Sequence, residues 1–378
     1  MTVLAGTNII TPAGPVDHGW IEIDGERIAG VGRGEPPHPF TGSRLAGWIV
    51  PGFVDIHVHG GGGHDACAGP DAAVLSALFH RRHGTTASLV SLMSAPVRTL
   101  CTQLGWIADL CDDGRAGIVG AHLEGPFLSP SRCGAHDPAH LAPPDRAVLA
   151  RLLDAVRGHL SVVTIAPELP GALGVIDDLV AAGVVAAVGH TDATYDVARE
   201  AFERGASLAT HLHNGMRAVH HREPGAVLAA LDSHALCEVI NDGVHVHPAV
   251  VREVLARGPA RLILITDAMS AAGVGDGQYT LGGRNVVVNS GCARLAETAQ
   301  LAGSTLTMAQ ALRRTVEQGV PIQVATAAAA TNPASALGRH DDIGSIETGR
   351  YADLVVLDQD LRVDAVMVHG LWTDLAPG

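Results

Sequence analysis

The feature that most constrains the fold is an alternation beginning at Pro51, in which a short apolar run of strand length is followed by a longer segment with apolar residues at helical spacing. Eight such runs occur, at residues 54–58, 86–90, 118–123, 162–166, 184–189, 207–212, 236–240 and 262–266. Residues 194–204 typify the intervening segments: Val197, Ala198, Ala201 and Phe202 share one helical face, and Gly205 follows as a stop. Repeated βα units imply a parallel sheet, and eight of them predict an α/β fold of the TIM (β/α)8 barrel type. In that fold functional groups stand at the C-terminal ends of the strands, so chemically capable side chains are expected there.

The flanks have a different texture. Residues 8–11, 20–24, 27–32 and 48–50 read as short strands separated by Gly, Pro and Asp signals, and β patterning returns in "IETGRYADLVVLD" and "LRVDAVMVHG" near the other end. The two ends are expected to complete one small β domain, residues 1–50 plus 335–378, beside a barrel domain of residues 51–334.

Composition removes several classes of chemistry. All 25 basic residues are arginine, because the chain has no lysine. An internal Schiff base, a Walker-type phosphate lysine and a lysine carbamate bridging two metals are therefore excluded. A net charge of −14 argues against nucleic acid or an anionic membrane as the main partner. With aromatics at 3%, the core must be built from Ala, Val, Leu and Ile. Cys67, Cys101, Cys111, Cys133, Cys237 and Cys292 show no CxxC spacing and read as reduced thiols. Residues 1–16 carry no basic and apolar leader pattern, and the stretch 179–188 is too short to span a bilayer, so a cytoplasmic protein is expected.

The strand ends carry the chemistry. "GFVDIHVHGGGG" places His57 and His59 two apart, pointing to one side of a strand, where they can chelate a metal; an isolated HxH reads equally well as polar strand-end residues beside a turn. Glu124 ends the third run, His190 the fifth, and "THLHNGM" contributes His211, His213 and Asn214 at the sixth. Each alone reads as a satisfied polar residue or a cap. Together, His57, His59, Glu124, His190 and His211 occupy the ends of four strands of one barrel and point to a one- or two-metal hydrolytic site. Without lysine, Glu124 is the bridging group available to two metals. Asp267 ends the eighth run, where it can cap a turn, bind metal, or act as general base on a water acidified by metal, and its position favours the last two. Arg222, in "HHREPGAV", is a candidate clamp for phosphate or carboxylate, or else a surface arginine of a polar loop. Asp242, His245 and His247 follow the seventh run. "SPSRCGAHDPAHL" brings Arg132, Cys133, His136 and His140 near Glu124, with His136 able to polarise a carbonyl and Cys133 more simply a structural thiol.

In this order "PGFVDIHVHG", "HLEGPF", "CGAH", "GHTDA", "THLHNGM", "REPG", "NDGVH", "ITDAM", "LAGS" and "NPA" resemble the N-acetylglucosamine-6-phosphate deacetylase family of the amidohydrolase superfamily, over residues 8–368. The resemblance implies a metal-dependent TIM barrel beside a small β-sandwich formed by both chain ends, assembled as a homodimer. It implies hydrolysis of the acetamide of N-acetyl-D-glucosamine 6-phosphate to D-glucosamine 6-phosphate and acetate, in amino-sugar catabolism and cell-wall recycling. Residue by residue, it implies Glu124, His190 and His211 as core metal ligands, Asp267 as general base and acid, and His136 as the group polarising the acetyl carbonyl. Ala135, Asn214, Gly215, Arg222, His245, Leu301, Ala302 and Gly303 fall where that family contacts the sugar phosphate, with Arg222 on the phosphate. The cofactor implied is a divalent metal, zinc foremost, at one or two ions per subunit, the second held through His57 and His59. Two positions depart from the family pattern: Gly215 where alanine is common, and Cys133 where lysine is frequent. The competing activities are deacetylation of N-acetylgalactosamine 6-phosphate, deamination of a cyclic amidine, and sugar-phosphate binding without catalysis.

Overall fold

A computed structural model describes residues 2–36 and 45–373 of the chain. Four strands come first: β1 (Thr2–Thr11), β2 (Gly14–Asp24), β3 (Arg27–Arg33) and β4 (Leu45–Pro51). The strand–helix repeats follow. Strand β5 (Phe53–Asp55) leads through the two-residue strands β6 (Gly60–Gly61) and β7 (His64–Asp65) to helix α1 (Pro70–Arg82). Next come β8 (Thr85–Met93) with α2 (Val97–Asp112), β9 (Ile118–Glu124) with α3 (Arg146–Val156), and β10 (Leu160–Ile165) with α4 (Ala172–Ala181). They are followed by β11 (Val185–Val188) with α5 (Tyr195–Glu203), β12 (Leu208–Ala209) with α6 (Gly225–Asp232), and β13 (Leu236–Val239) with α7 (Pro248–Ala256). Strand β14 (Leu262–Leu264) is separated from α8 (Met308–Glu317) by an inserted antiparallel sheet of β15 (Gly277–Leu281), β16 (Arg284–Asn289) and β17 (Cys292–Leu295). Strands β18 (Leu354–Leu357), β19 (Val363–Val368) and β20 (Leu371–Trp372) end the described chain.

The repeats build the expected eight-stranded sheet, ordered β14-β13-β12-β11-β10-β9-β8-β5, with parallel pairing from β8 through β14. The segments leaving the two outer strands join: Asp267 N–H donates to His57 O and His59 N–H to Ala268 O, each at 2.8 Å, which closes the barrel. The helices bury one face each. In α2, Leu100, Leu104, Ile107 and Ala108 recur at helical spacing, and the first three pack with Phe127, Leu149, Leu152 and Val156. Complete burial of each such leucine stabilises by about 1.5–3 kcal/mol. Helix α5 begins at Thr194, whose hydroxyl accepts from Val197 N–H, and spans the stretch read as a helix from its apolar face.

Inside the barrel a polar layer underlies the strand ends. Ser91 Oγ accepts from Val58 N–H at 3.0 Å and is hydrogen-bonded to His122 Nδ1 at 3.0 Å. His122 Nε2 lies 2.9 Å from Thr164 Oγ1, which lies 2.8 Å from Thr210 Oγ1. Gly189 is small because of this layer, since a Cβ there would stand 2.6 Å from Thr210 Cβ and 2.8 Å from Thr164 Cγ2.

Both chain ends share a second sheet, ordered β20-β19-β18-β4-β1-β2-β3. Strand β4 runs parallel to β1 and antiparallel to β18. Its core joins Leu4, Ile9, Ile21, Ile23, Ile28, Ile49, Leu354 and Met367. The described residues divide into two compact units, one drawn from those within Met1–Asp55, Phe79–Ala87 and Thr307–Gly378, the other from Ile56–Leu78 and Ser88–Leu306. Met1 and residues 37–44 and 374–378, which the sequence assigns to the small domain, lie outside the described residues. All six cysteines are free, and no helix among the described residues is long and apolar enough to cross a membrane.

Candidate active site and metal centre

Several strand ends leave extended geometry at the residues that matter. The sixth apolar run, read as 207–212, is a strand only at Leu208–Ala209, and the eighth stops at Leu264. His190 (φ 47°), His211 (φ 26°) and Asp267 (φ 47°) adopt left-handed backbone, which costs side-chain-bearing residues of order 1–3 kcal/mol each and clusters at functional sites. All three side chains line one cleft.

Glu124 stands at its centre. Oε1 lies 2.9 Å from His190 Nε2, 3.0 Å from His211 Nε2 and 3.4 Å from His57 Nε2. Oε2 lies 3.2 Å from His59 Nε2 and 3.1 Å from His136 Nε2. Two ligand sets result, His57–His59–Glu124 and Glu124–His190–His211, each with its ligand atoms within 4.8 Å of one another and all residues buried. Glu124 belongs to both, the position of a bridging carboxylate. Asp267 Oδ1 is 3.3 Å from His59 Nε2 and 3.6 Å from His57 Nε2.

Hydrogen bonding on the far side of each ring decides what faces the centre. A carbonyl oxygen only accepts, so His59 Nδ1–H donates to Ser91 O (3.2 Å) and His190 Nδ1–H donates to Arg132 O (2.8 Å). His57 Nδ1 meets the Glu238 carboxylate at 3.1 Å. In their neutral forms these three rings therefore carry the lone pair on Nε2, the atom that faces Glu124, and in the absence of a cation a proton held there by the carboxylate takes its place. Nitrogen lone pairs 3.1–3.2 Å apart, as in the His57–His59 and His190–His211 contacts, repel unless a proton or a cation lies between them. The donor set thus fits divalent metal ions.

The electrostatics agree. Burial opposes the charge on Glu124, yet His57, His136 and His190 hold its carboxyl well below the usual carboxylate range. Burial likewise opposes charge on His57, but Glu124 and Asp267 outweigh it and push the imidazole up to about 10. Burial works against Asp267 too, and His57 with His59 brings it down to about 2. Metal entering such a site displaces protons from the histidines. His136 differs: burial pulls it down to about 4, so it is neutral at pH 7. Its Nδ1 accepts from Ser94 N–H (3.1 Å), which leaves its proton on Nε2, directed at the centre.

The cleft has a volume of about 320 Å³. Of the residues expected there, His59, Glu124, Ala135, His136, His190, His211, Asn214, Gly215, His245, Asp267, Leu301 and Gly303 line it. His57 lies fully buried just behind. Two residues expected at the substrate do not line this cleft. Ala302 turns into the apolar core of the inserted sheet, with Met93, Ala135, Met269 and Leu281. Arg222 is exposed, in a separate surface depression with Arg132, Asp192, Arg217, Ala218, His220 and Glu223, and only Arg132 lines both hollows. Gly215 has φ 61°, and a Cβ there would stand 2.9 Å from His190 Nδ1, so the departure from alanine relieves crowding against a ligand ring. Asp242 fixes His245, whose Nδ1–H donates to Oδ2 at 2.7 Å, while His247 caps α7. Cys133 does not line the cleft, and burial pushes its thiol up. Met93 and Gln300 line the cleft without having been picked out from sequence, and Glu238 and His122 beneath it were missed as well. For Glu238 the signal was present: an ionisable residue inside the apolar run "LCEVI".

A (β/α)8 barrel with two metal-ligand sets sharing one carboxylate at its C-terminal mouth defines a metal-dependent hydrolase. The chain belongs to the amidohydrolase family, whose model matches residues 48–373. It is 39% identical to the N-acetylgalactosamine-6-phosphate deacetylase of Escherichia coli O157:H7, over 97% of this chain and 98% of that protein. Identity to the N-acetylglucosamine-6-phosphate deacetylase of Vibrio furnissii is 37%, over 85% of this chain and 82% of that protein. Among solved structures, a D267A variant of N-acetyl-D-glucosamine-6-phosphate deacetylase from Mycobacterium smegmatis, in complex with N-acetyl-D-glucosamine-6-phosphate, superposes with a TM-score of 0.95 at 44% identity and covers 98% of each chain.

Proposed function

We propose that this protein hydrolyses the acetamide of N-acetyl-D-glucosamine 6-phosphate to D-glucosamine 6-phosphate and acetate, in amino-sugar catabolism and cell-wall recycling. The observation that carries the reading is the convergence of Glu124, His136, His190, His211 and Asp267 on one cleft, in a chain 44% identical to a deacetylase solved with that substrate. Glu124, His190 and His211 would hold one divalent ion, and His57, His59 and Glu124 a second. Histidine nitrogen with carboxylate oxygen suits zinc, which we assign. When bound, the ion acidifies a coordinated water and polarises the acyl oxygen.

The chain's own groups do the rest. His136 presents Nε2–H to the acyl oxygen as negative charge develops there. Asp267 is ionised and takes a proton as water oxygen bonds to the acyl carbon; it returns that proton to nitrogen as the C–N bond breaks, so the sugar leaves as an amine. Asn214, His245 and the backbone around Gly215 and Leu301 orient the sugar, and Arg222 meets the phosphate from the adjoining depression that Arg132 shares. The same reading divides the chain into a hydrolase barrel of residues 51–334 and a small β domain of 1–50 with 335–378, and takes the active form as a cytoplasmic homodimer.

The relative that acts on the galactosamine epimer favours a second substrate reading with identical chemistry. Acetate release from both phosphorylated N-acetylhexosamines and their unphosphorylated forms, on protein with quantified metal, decides between them. Ammonia release, or binding without hydrolysis by metal-loaded protein, would refute the proposal.

A further inference from the structure

We infer that Glu238 is a positioning residue that aligns ligands of both metal sets through one carboxylate oxygen. It sits on β13, fully buried, and is not among the residues able to ligate either ion. Its Oε2 lies 3.1 Å from His57 Nδ1, in the first set, and accepts the backbone N–H of His211, in the second set, also at 3.1 Å. Its backbone oxygen accepts from Leu212 N–H at 2.8 Å, so the turn carrying His211 is held at two points by one residue. That turn needs holding, because His211 has φ 26° and its Nδ1 has no hydrogen-bond partner among the described residues. His57 has the complementary need, since its Nδ1 must carry the proton for Nε2 to face Glu124 as a ligand, and a carboxylate acceptor enforces that tautomer.

The chemistry also argues against a purely architectural role. Glu238 Oε1 has no hydrogen-bond partner among the described residues, and a buried carboxylate with an idle oxygen is an expensive way to fill space in a strand whose neighbours are Cys237 and Val239. Opposite a histidine that binds a cation through its other nitrogen, the same carboxylate strengthens the ligand. The inference rests on the metal-centre reading above.

The test measures metal binding, independently of turnover. Wild type, Glu238→Ala, Glu238→Gln, His57→Ala and the His57→Ala/Glu238→Ala double variant are stripped of metal and titrated with Zn²⁺ against a competing chelator, with bound metal counted by mass spectrometry. Glu238→Ala is expected to weaken the His57–His59–Glu124 site by about 10–100-fold and the His211 site by less. Glu238→Gln, which keeps an acceptor oxygen for both donors, should recover most of the loss. In the His57→Ala background Glu238→Ala should add little at the first site, because the two act as a unit. Should Glu238→Ala fail to fold, Glu238→Met, similar in volume and without an acceptor oxygen, takes its place. Wild-type affinity at both sites in the variant, a full loss added to that of His57→Ala, or no recovery with Gln would overturn the inference. Wild-type protein that binds no zinc would instead overturn the metal-centre reading beneath it.

Discussion

Asp267→Asn isolates the proton-transfer step from the rest of the site. The substitution keeps the volume and one acceptor oxygen near His59 Nε2 (3.3 Å) and His57 Nε2 (3.6 Å), and removes the charge and the proton affinity. General acid–base groups contribute about 10²–10⁴ in rate. The structure selects the upper part of that range. Glu124 is the one other carboxylate lining the cleft among the described residues, and it is committed to the surrounding histidines, so no spare base stands ready. A fall in kcat of about 10³–10⁴, or roughly 4–5.5 kcal/mol of transition-state stabilisation, is therefore expected. Metal content should be unchanged, because Asp267 belongs to neither ligand set. The assay is acetate release at saturating substrate, normalised to metal measured in the same sample. Turnover within tenfold of wild type at equal metal content would refute the assignment of Asp267 as the base.

The other predictions concern the substrate, the metal and the framework. Arg222→Ala should raise KM for the phosphorylated sugar about tenfold or more while sparing kcat, and an unchanged KM would take Arg222 off the phosphate. Chelation of the metal should lower thermal stability: loading at 100 times Kd contributes about 2.7 kcal/mol, or roughly 3 °C for 378 residues at about 2.1 cal/mol/K each, and equal melting of stripped and loaded protein would contradict a structured metal centre. Asp192 pairs with both Arg217 and Arg132, and the Arg132 carbonyl holds His190 Nδ1–H, so Asp192→Asn should weaken zinc binding severalfold in a chelator competition. The two arginines keep the Asp192 carboxyl below the usual range, so this restraint is complete above about pH 4 and fades as pH falls through the lowered pKa.

Fold class was legible because the period that encodes it is coarse. Eight apolar runs separated by helical segments survive errors at any one boundary, and the sheet order follows chain order. Strand ends were less legible for a physical reason: His190, His211 and Asp267 leave β geometry to turn their side chains to the barrel axis, so the apolar run continues past the last strand residue. The candidate metal ligands could be picked out because ionisable side chains gathered at the strand ends of one barrel are costly to bury together unless a cation joins them. His122 could not be, since it lies one layer deeper, where facing is set by the closed barrel and not by position in a motif, and for Glu238 the signal was only its charge inside an apolar run. Arg222 and Ala302 show what a motif leaves open. Their motifs place both near the substrate, while the fold sets Arg222 on an exposed loop beside the cleft and Ala302 in the core of the β15–β17 insertion, and neither setting is encoded within a few residues of either.

The sheet shared by the two chain ends has a consequence for synthesis. Strand β4, with Trp48, Ile49 and Val50, has its two edges filled by β1 and β18. Its first partner is translated just before it. The second, Leu354–Leu357, leaves the ribosome about 300 residues later, which at roughly 5–20 residues per second is a delay of about 15–60 s. For that interval the nascent chain carries an apolar strand edge open to pairing with other chains. The barrel strands are translated within that interval, but the small sheet must wait for Leu354–Leu357, which makes expression yield sensitive to elongation rate and to chaperones that cover exposed strands.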